Sequence, residues 1–138
     1  MTDARAAAVA LIERYYAAFN AGDMDAFLGL LADDVIHDIN QGARETGKGA
    51  FSAFMQRMNG AYRERLVEFS VLANDAGTRA SAEFVVHGEY LRSDEGLPPA
   101  RGQTYVLPAG AFFEIRGGKV ARVTNYYNLQ DWIGQVST

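Results

Sequence analysis

Hydrophobic periodicity changes once along this chain, and that change restricts the fold more than any other feature. Up to about residue 62 the apolar side chains recur at helical spacing; from Arg63 onward they alternate with polar ones. Val9, Ile12, Tyr16 and Phe19, with Ala8 and Tyr15 beside them, predict a long first helix. Thr2 or Asp3 can cap its start, and Asn20-Ala21-Gly22 ends it. Asp23 caps a shorter helix through Met24, Phe27, Leu28 and Leu31, which Ala32-Asp33-Asp34 breaks. Residues 35–40 read as a short β-branched strand and 41–49 as a polar, glycine-rich loop. A third helix from about Lys48 to Tyr62 carries the stripe Phe51, Phe54, Met55, Met58 and Tyr62.

In the second half, Val67, Phe69 and Val71 alternate with Glu68 and Ser70, and Asn74-Asp75-Ala76-Gly77 turns the chain. Further strands are expected at about 78–91, 103–115 and 120–127. A loop at 92–102 contains Gly96-Leu97-Pro98-Pro99, and Arg116-Gly117-Gly118-Lys119 makes a tight turn. Pro108 requires an edge, a bulge or a break in its strand. Residues 129–136 form a short helical tail holding Trp132. Helices first and long hairpin-joined strands afterwards predict an α+β fold, one domain over residues 1–138. A curved antiparallel sheet would wrap on three N-terminal helices, making a cone whose mouth suits an apolar pocket.

Charge and composition exclude several functions. With no cysteine among 138 residues there are no disulfides, thiolate metal sites or cysteine nucleophile. Thirteen basic against seventeen acidic residues leave a net charge of −4, and the densest cations (Arg57, Arg63, Arg65) are interrupted by Glu64 and Glu68. A nucleic-acid partner is not expected. No apolar run approaches the roughly 20 residues of a membrane span, and the start does not read as a signal peptide. The expectation is a soluble, cytoplasmic domain with no membrane partner. His37, Asp38, Glu83 and His87 are the plausible metal ligands, and no ligating motif links them, so no metal is expected. Gly117-Gly118 is a hairpin turn rather than a phosphate loop, and no cofactor is expected.

The remaining polar residues in apolar stretches are the chemical candidates. Strand parity puts Val120, Arg122, Thr124 and Tyr126 on one face of the last strand, and Ala121, Val123, Asn125 and Tyr127 on the other. The second face is the more apolar, so Asn125 is either a polar anchor in a pocket or a structural amide bonded to the short strand. In that strand Asp38 and Asn40 share a face with Ile36, while His37 goes with Val35 and Ile39. An Asp38 facing the cavity would have its pKa raised by desolvation and could serve as a general base; otherwise it caps a turn with Asn40. His37 reads as a core histidine or as an assistant to that base.

Residues 14–34 resemble the opening of the nuclear-transport-factor-2-like fold, most closely the ketosteroid isomerases and SnoaL-like polyketide cyclases. Residues 112–120 and Asn125-Tyr126-Tyr127-Asn128 are similar to the close of that fold, and Gly-Leu-Pro-Pro-Ala at 96–100 and His87-Gly88 lie between. The resemblance implies a cone-shaped domain with a catalytic or ligand-binding interior. It places Tyr15 where the isomerases donate to a developing enolate oxygen. Asp38 falls on their proton-shuttling aspartate if one residue after Asp34 is deleted, and Ile39 does so without the gap. Their second donor, a protonated aspartate, falls on Ala111, so a steroid isomerase of that design is not expected. Limonene epoxide hydrolases are also similar near the end, but their acid is replaced by Asn125.

Together these readings lead to proton transfer, as isomerisation or cyclisation, on a small apolar carbonyl compound. Asp38 is the expected base, Tyr15 and Asn125 stabilise the enolate, and His37 assists. Asn40, Phe54, Met55, Met58, Phe113 and Tyr127 would line the pocket. The competing expectation is a carrier or interaction module. In either case Phe112 and Tyr126, on the outer sheet face, suit a homodimer surface.

Overall fold

A computed structural model describes residues 3–40 and 42–137. The first helix, α1 (Ala4–Ala21), starts on Asp3, whose carboxylate accepts from the Arg5 N–H, and stops at Gly22, left-handed at φ 70°. The alternative cap, Thr2, lies outside the described residues. Asp23 caps α2 (Met24–Gly29) by accepting from the Ala26 N–H. This helix is shorter than its apolar spacing predicts, because Leu31 pairs with Val120 and opens the strand β1 (Leu31–Asp38). Part of the expected polar loop forms an edge strand, β2 (Arg44–Thr46), and α3 (Lys48–Ala61) follows. The remainder is β3 (Tyr62–Ala73), β4 (Arg79–Tyr90), β5 (Thr104–Arg116), β6 (Lys119–Tyr127) and α4 (Leu129–Val136).

The fold is α+β, with a curved, open six-stranded sheet in the order β2-β1-β6-β5-β4-β3. It is not antiparallel throughout. β1 and β6 run parallel, because three hairpins bring β6 back beside β1 in the same direction. No helix among the described residues is long and apolar enough to cross a membrane.

Two bulges change which side chains face inward, and both correct simple alternation. In β3 the register slips between Val67 and Ser70, with Glu68 at φ 58°. Val67 therefore pairs with Val85 on the outer face, while Phe69 turns onto Tyr16 and Phe84. In β6 the slip between the pairs Glu114–Arg122 and Ile115–Val120 leaves Ala121 as the extra residue. Val120 thus joins Val123 inside, both at 0% exposure, instead of sharing a face with Arg122. Pro108 needs neither bulge nor break: β6 has ended beyond Ala109–Tyr127, so the missing N–H takes no bond from the ladder. On that same bare edge, the Gln135 side chain of α4 bonds both Val106 N–H and C=O.

The concave face of the sheet closes on α1, α2 and α3 around an aromatic core. Tyr15 packs on Tyr16, Phe27 and Phe113, and Phe27 in turn meets Phe51. Phe27, Phe51, Phe113 and Tyr90 are essentially unexposed. Burial of an apolar side chain of this size contributes about 1.5–3 kcal/mol.

Candidate functional site

Parallel pairing with β6 sets the register of β1: His37 lies opposite Val123 and Asp38 opposite Thr124. That register turns His37 inward and Asp38 outward. The expectation that Asp38 faces the interior is therefore corrected. Its carboxylate sits on the outer face, bonded by Arg44 through Nε at 2.6 Å and Nη2 at 3.1 Å, and by the Thr124 hydroxyl at 2.7 Å. Arg122 approaches to 3.7 Å and continues the network to Glu114. The Arg44 hydrogen bonds foremost, then Thr124 and the two guanidinium charges, hold the Asp38 carboxyl down at about 2. A carboxylate so stabilised is a weak base.

His37 is a buried polar residue of the interior, 2% exposed. Its ring stacks on Phe51 at 4.3 Å and meets Phe54 edge-on at 4.6 Å. Burial lowers its pKa to about 4, although the neighbouring Asp38 charge pulls the other way, so the imidazole is neutral at pH 7. Nε2 lies 3.5 Å from the Asn125 amide nitrogen. With that amide donating, the ring proton sits on Nδ1, which has no partner among the described residues. Two of the four expected catalytic residues, His37 and Asn125, are thus together, and Phe54 packs on the His37 ring.

The others are dispersed. Tyr15 is buried between Phe27 and Phe113, with Phe27 and Phe51 intervening in the chain of ring contacts to His37, and burial pushes its phenol pKa up. Met55 is buried in the core with Phe113, whereas Met58 is half-buried on α3. Asn40 lies at the far end of β1, its amide 3.4 Å from the Tyr127 carbonyl.

A second polar cluster went unread in the sequence. Glu64, Gly88 and Tyr105 lie in one row across β3, β4 and β5, and the Tyr105 hydroxyl reaches Glu64 at 2.5 Å. Burial pushes the Glu64 carboxyl up, against the lowering effect of that bond. Gly88 makes the bond feasible, since a Cβ there would collide with the Tyr105 ring. The available signal was alternation one residue pair earlier, through Tyr62, Glu64 and Leu66. This row is well separated along β4 from the one containing Val123 and Phe113, which meets β4 at Ala80. Gly88→Ala is expected to destabilise the protein by about 1–3 kcal/mol through overpacking, measured by urea unfolding, and Tyr105→Phe by less.

The SnoaL-like domain family matches residues 12–123. A protein of Pseudomonas putida KT2440, provisionally named a polyketide cyclase, is 67% identical with a TM-score of 0.92, over 94% of this chain and 97% of that one. Another from Xanthomonas campestris pv. campestris, provisionally named likewise, is 62% identical with a TM-score of 0.93, over 96% and 98%. At 18% identity and a TM-score of 0.75, a nuclear-transport-factor-2-like protein of Burkholderia xenovorans LB400 shares the fold over 98% of this chain and 99% of its own. No curated protein matches the chain. The family match takes in part of α1, all of α2, α3 and β1 to β5 and part of β6, so the chain belongs to the SnoaL-like domain family.

Proposed function

We propose that this SnoaL-like domain is an enzyme of the cyclase or isomerase type that moves a proton α to the carbonyl of a small apolar compound. The observation that carries the proposal is His37: a buried imidazole, neutral at pH 7, whose Nδ1 is unpaired and whose Nε2 lies 3.5 Å from the Asn125 amide nitrogen. Such a group is suited to donate to an oxygen that gains charge as an enolate forms. A pKa of about 4 makes it a poor base but leaves it neutral, which is the state a donor needs. His37 takes the role expected for Tyr15, and the outward Asp38 leaves the proton acceptor to another interior residue. Phe51, Phe54 and Met58 provide apolar contact. A proton transfer of this kind needs no cofactor.

The test is exchange of α-protons in D2O, followed by NMR, for steroid, aromatic polyketide-like and terpenoid ketones, with 2-tetralone as the small probe. Catalysed exchange of at least one class supports the reading. Thermal stabilisation by such compounds without exchange would favour a carrier.

We also propose that the outer face pairs two copies. Leu72, Phe112 and Tyr126 stand 66%, 51% and 55% exposed and line an open groove of about 600 Å3. A charge placed there should block association. Phe112→Glu is expected to convert a dimer to a folded monomer, read by sedimentation velocity; an unchanged sedimentation coefficient rejects this face.

A further inference from the structure

The reading of His37 as an oxyanion donor requires a base on the same face, and the following inference rests on that reading. β2 supplies the candidate. Glu45 is paired directly with His37 across β1 and β2. Opposed residues of an antiparallel pair project to one side with their Cβ atoms about 4.5–5.5 Å apart. Glu45 is half-buried, and its Oε1 is enclosed without a hydrogen-bond partner among the described residues. His37 Nδ1 is in the same condition. Two polar atoms, a carboxylate acceptor and an imidazole nitrogen, are thus enclosed and unpaired on one face, where a native fold normally satisfies both. Asp38, next in the chain, points to the other face and is engaged by Arg44 and Thr124.

We propose that Glu45 is the catalytic base: Oε1 removes the α-proton while the carbonyl oxygen accepts a hydrogen bond from His37 Nδ1–H. The C–H bond breaks, its electron pair becomes the C=C bond of the enolate, and the carbonyl π pair moves to oxygen. In a β,γ-unsaturated ketone the enolate is conjugated with the alkene, so the proton held on Glu45 returns to the γ-carbon as the oxygen pair re-forms the C=O bond, giving the α,β-unsaturated isomer. In a cyclisation, the enolate carbon attacks a second carbonyl of the same molecule, and the proton goes to the new alkoxide. Atoms and electrons balance in both cases without a further reactant. A ketone carries one oxygen for His37 and one acidic C–H for Glu45, so the pair selects enolisable ketones over alcohols and hydrocarbons of the same shape.

Glu45→Gln keeps the shape of the side chain and removes its basicity. In D2O with 2-tetralone, catalysed exchange is expected to fall by about 10²–10⁴-fold in this variant. Glu45→Asp, with its carboxylate drawn back, should retain part of the rate, and Asp38→Asn should stay within about tenfold of wild type. Binding of 2-naphthol, a flat mimic of the enol, separates the two roles because it needs the His37 donor and no base. A Glu45→Gln protein that exchanges at the wild-type rate overturns Glu45 and leaves the His37 reading standing. A wild type that binds no 2-naphthol and exchanges 2-tetralone only at the background rate overturns both.

Discussion

His37→Phe should slow exchange of the 2-tetralone α-protons by about 10²–10³-fold, the range found when one preorganised oxyanion donor is removed. Phenylalanine preserves the stack on Phe51 and the edge contact with Phe54, so the fold is expected to survive. What disappears is the Nδ1–H, which does little for a neutral ketone and much for the charged enolate. The loss should therefore appear chiefly in kcat, with KM changing little. Asn125→Ala tests the tautomer argument in the same assay. Without the amide on Nε2 the ring proton is free to occupy either nitrogen, so exchange should fall by a smaller factor than in His37→Phe. If His37→Phe exchanges as fast as wild type, the donor lies elsewhere and Tyr15 becomes the leading alternative.

The fold could be read from the sequence because its signals are local. Asp3, Asp23 and Gly22 mark helix ends through their own side chains or backbone, and the change of period at Arg63 separates helices from sheet. The site could be read only in part, because it depends on register. Adjacent strand residues face opposite ways, so choosing between His37 and Asp38 required knowing that His37 meets Val123. Asp38 is the more usual base by residue type, but its partners Arg44, Thr124 and Arg122 come from β2 and β6 and are remote in sequence. The bulges at Glu68 and Ala121 add one residue each and invert alternation beyond them, which no count along a single strand reveals. Glu45 was missed for a related reason: three residues in a glycine-rich loop become a strand only because β1 offers an edge to pair with.

Acid should weaken this protein in a window set by His37. Its folded pKa of about 4 lies below the ordinary 6.5, so between these values the unfolded chain binds a proton that the folded chain refuses. Stability is then complete above pH 6.5 and declines as the pH falls toward 4, by about 3 kcal/mol across the whole window. For a domain of this size that is roughly 10 °C in Tm. Asp38 acts lower down: its depressed pKa contributes stability above 3.8 that is lost as the pH falls toward about 2. The two effects therefore separate on the pH axis. His37→Phe keeps every other titrating group, Glu64 with its raised carboxyl among them, so its Tm should lose the decline that wild type shows from pH 6.5 to 4.5, and Asp38→Asn should keep that decline. An equal slope in His37→Phe and wild type would mean that His37 is protonated in the fold as readily as in the unfolded chain. A charged imidazole beneath Phe51 and Phe54 would also remove the neutral donor on which the proposed chemistry depends, so this titration tests the mechanism before any substrate is known.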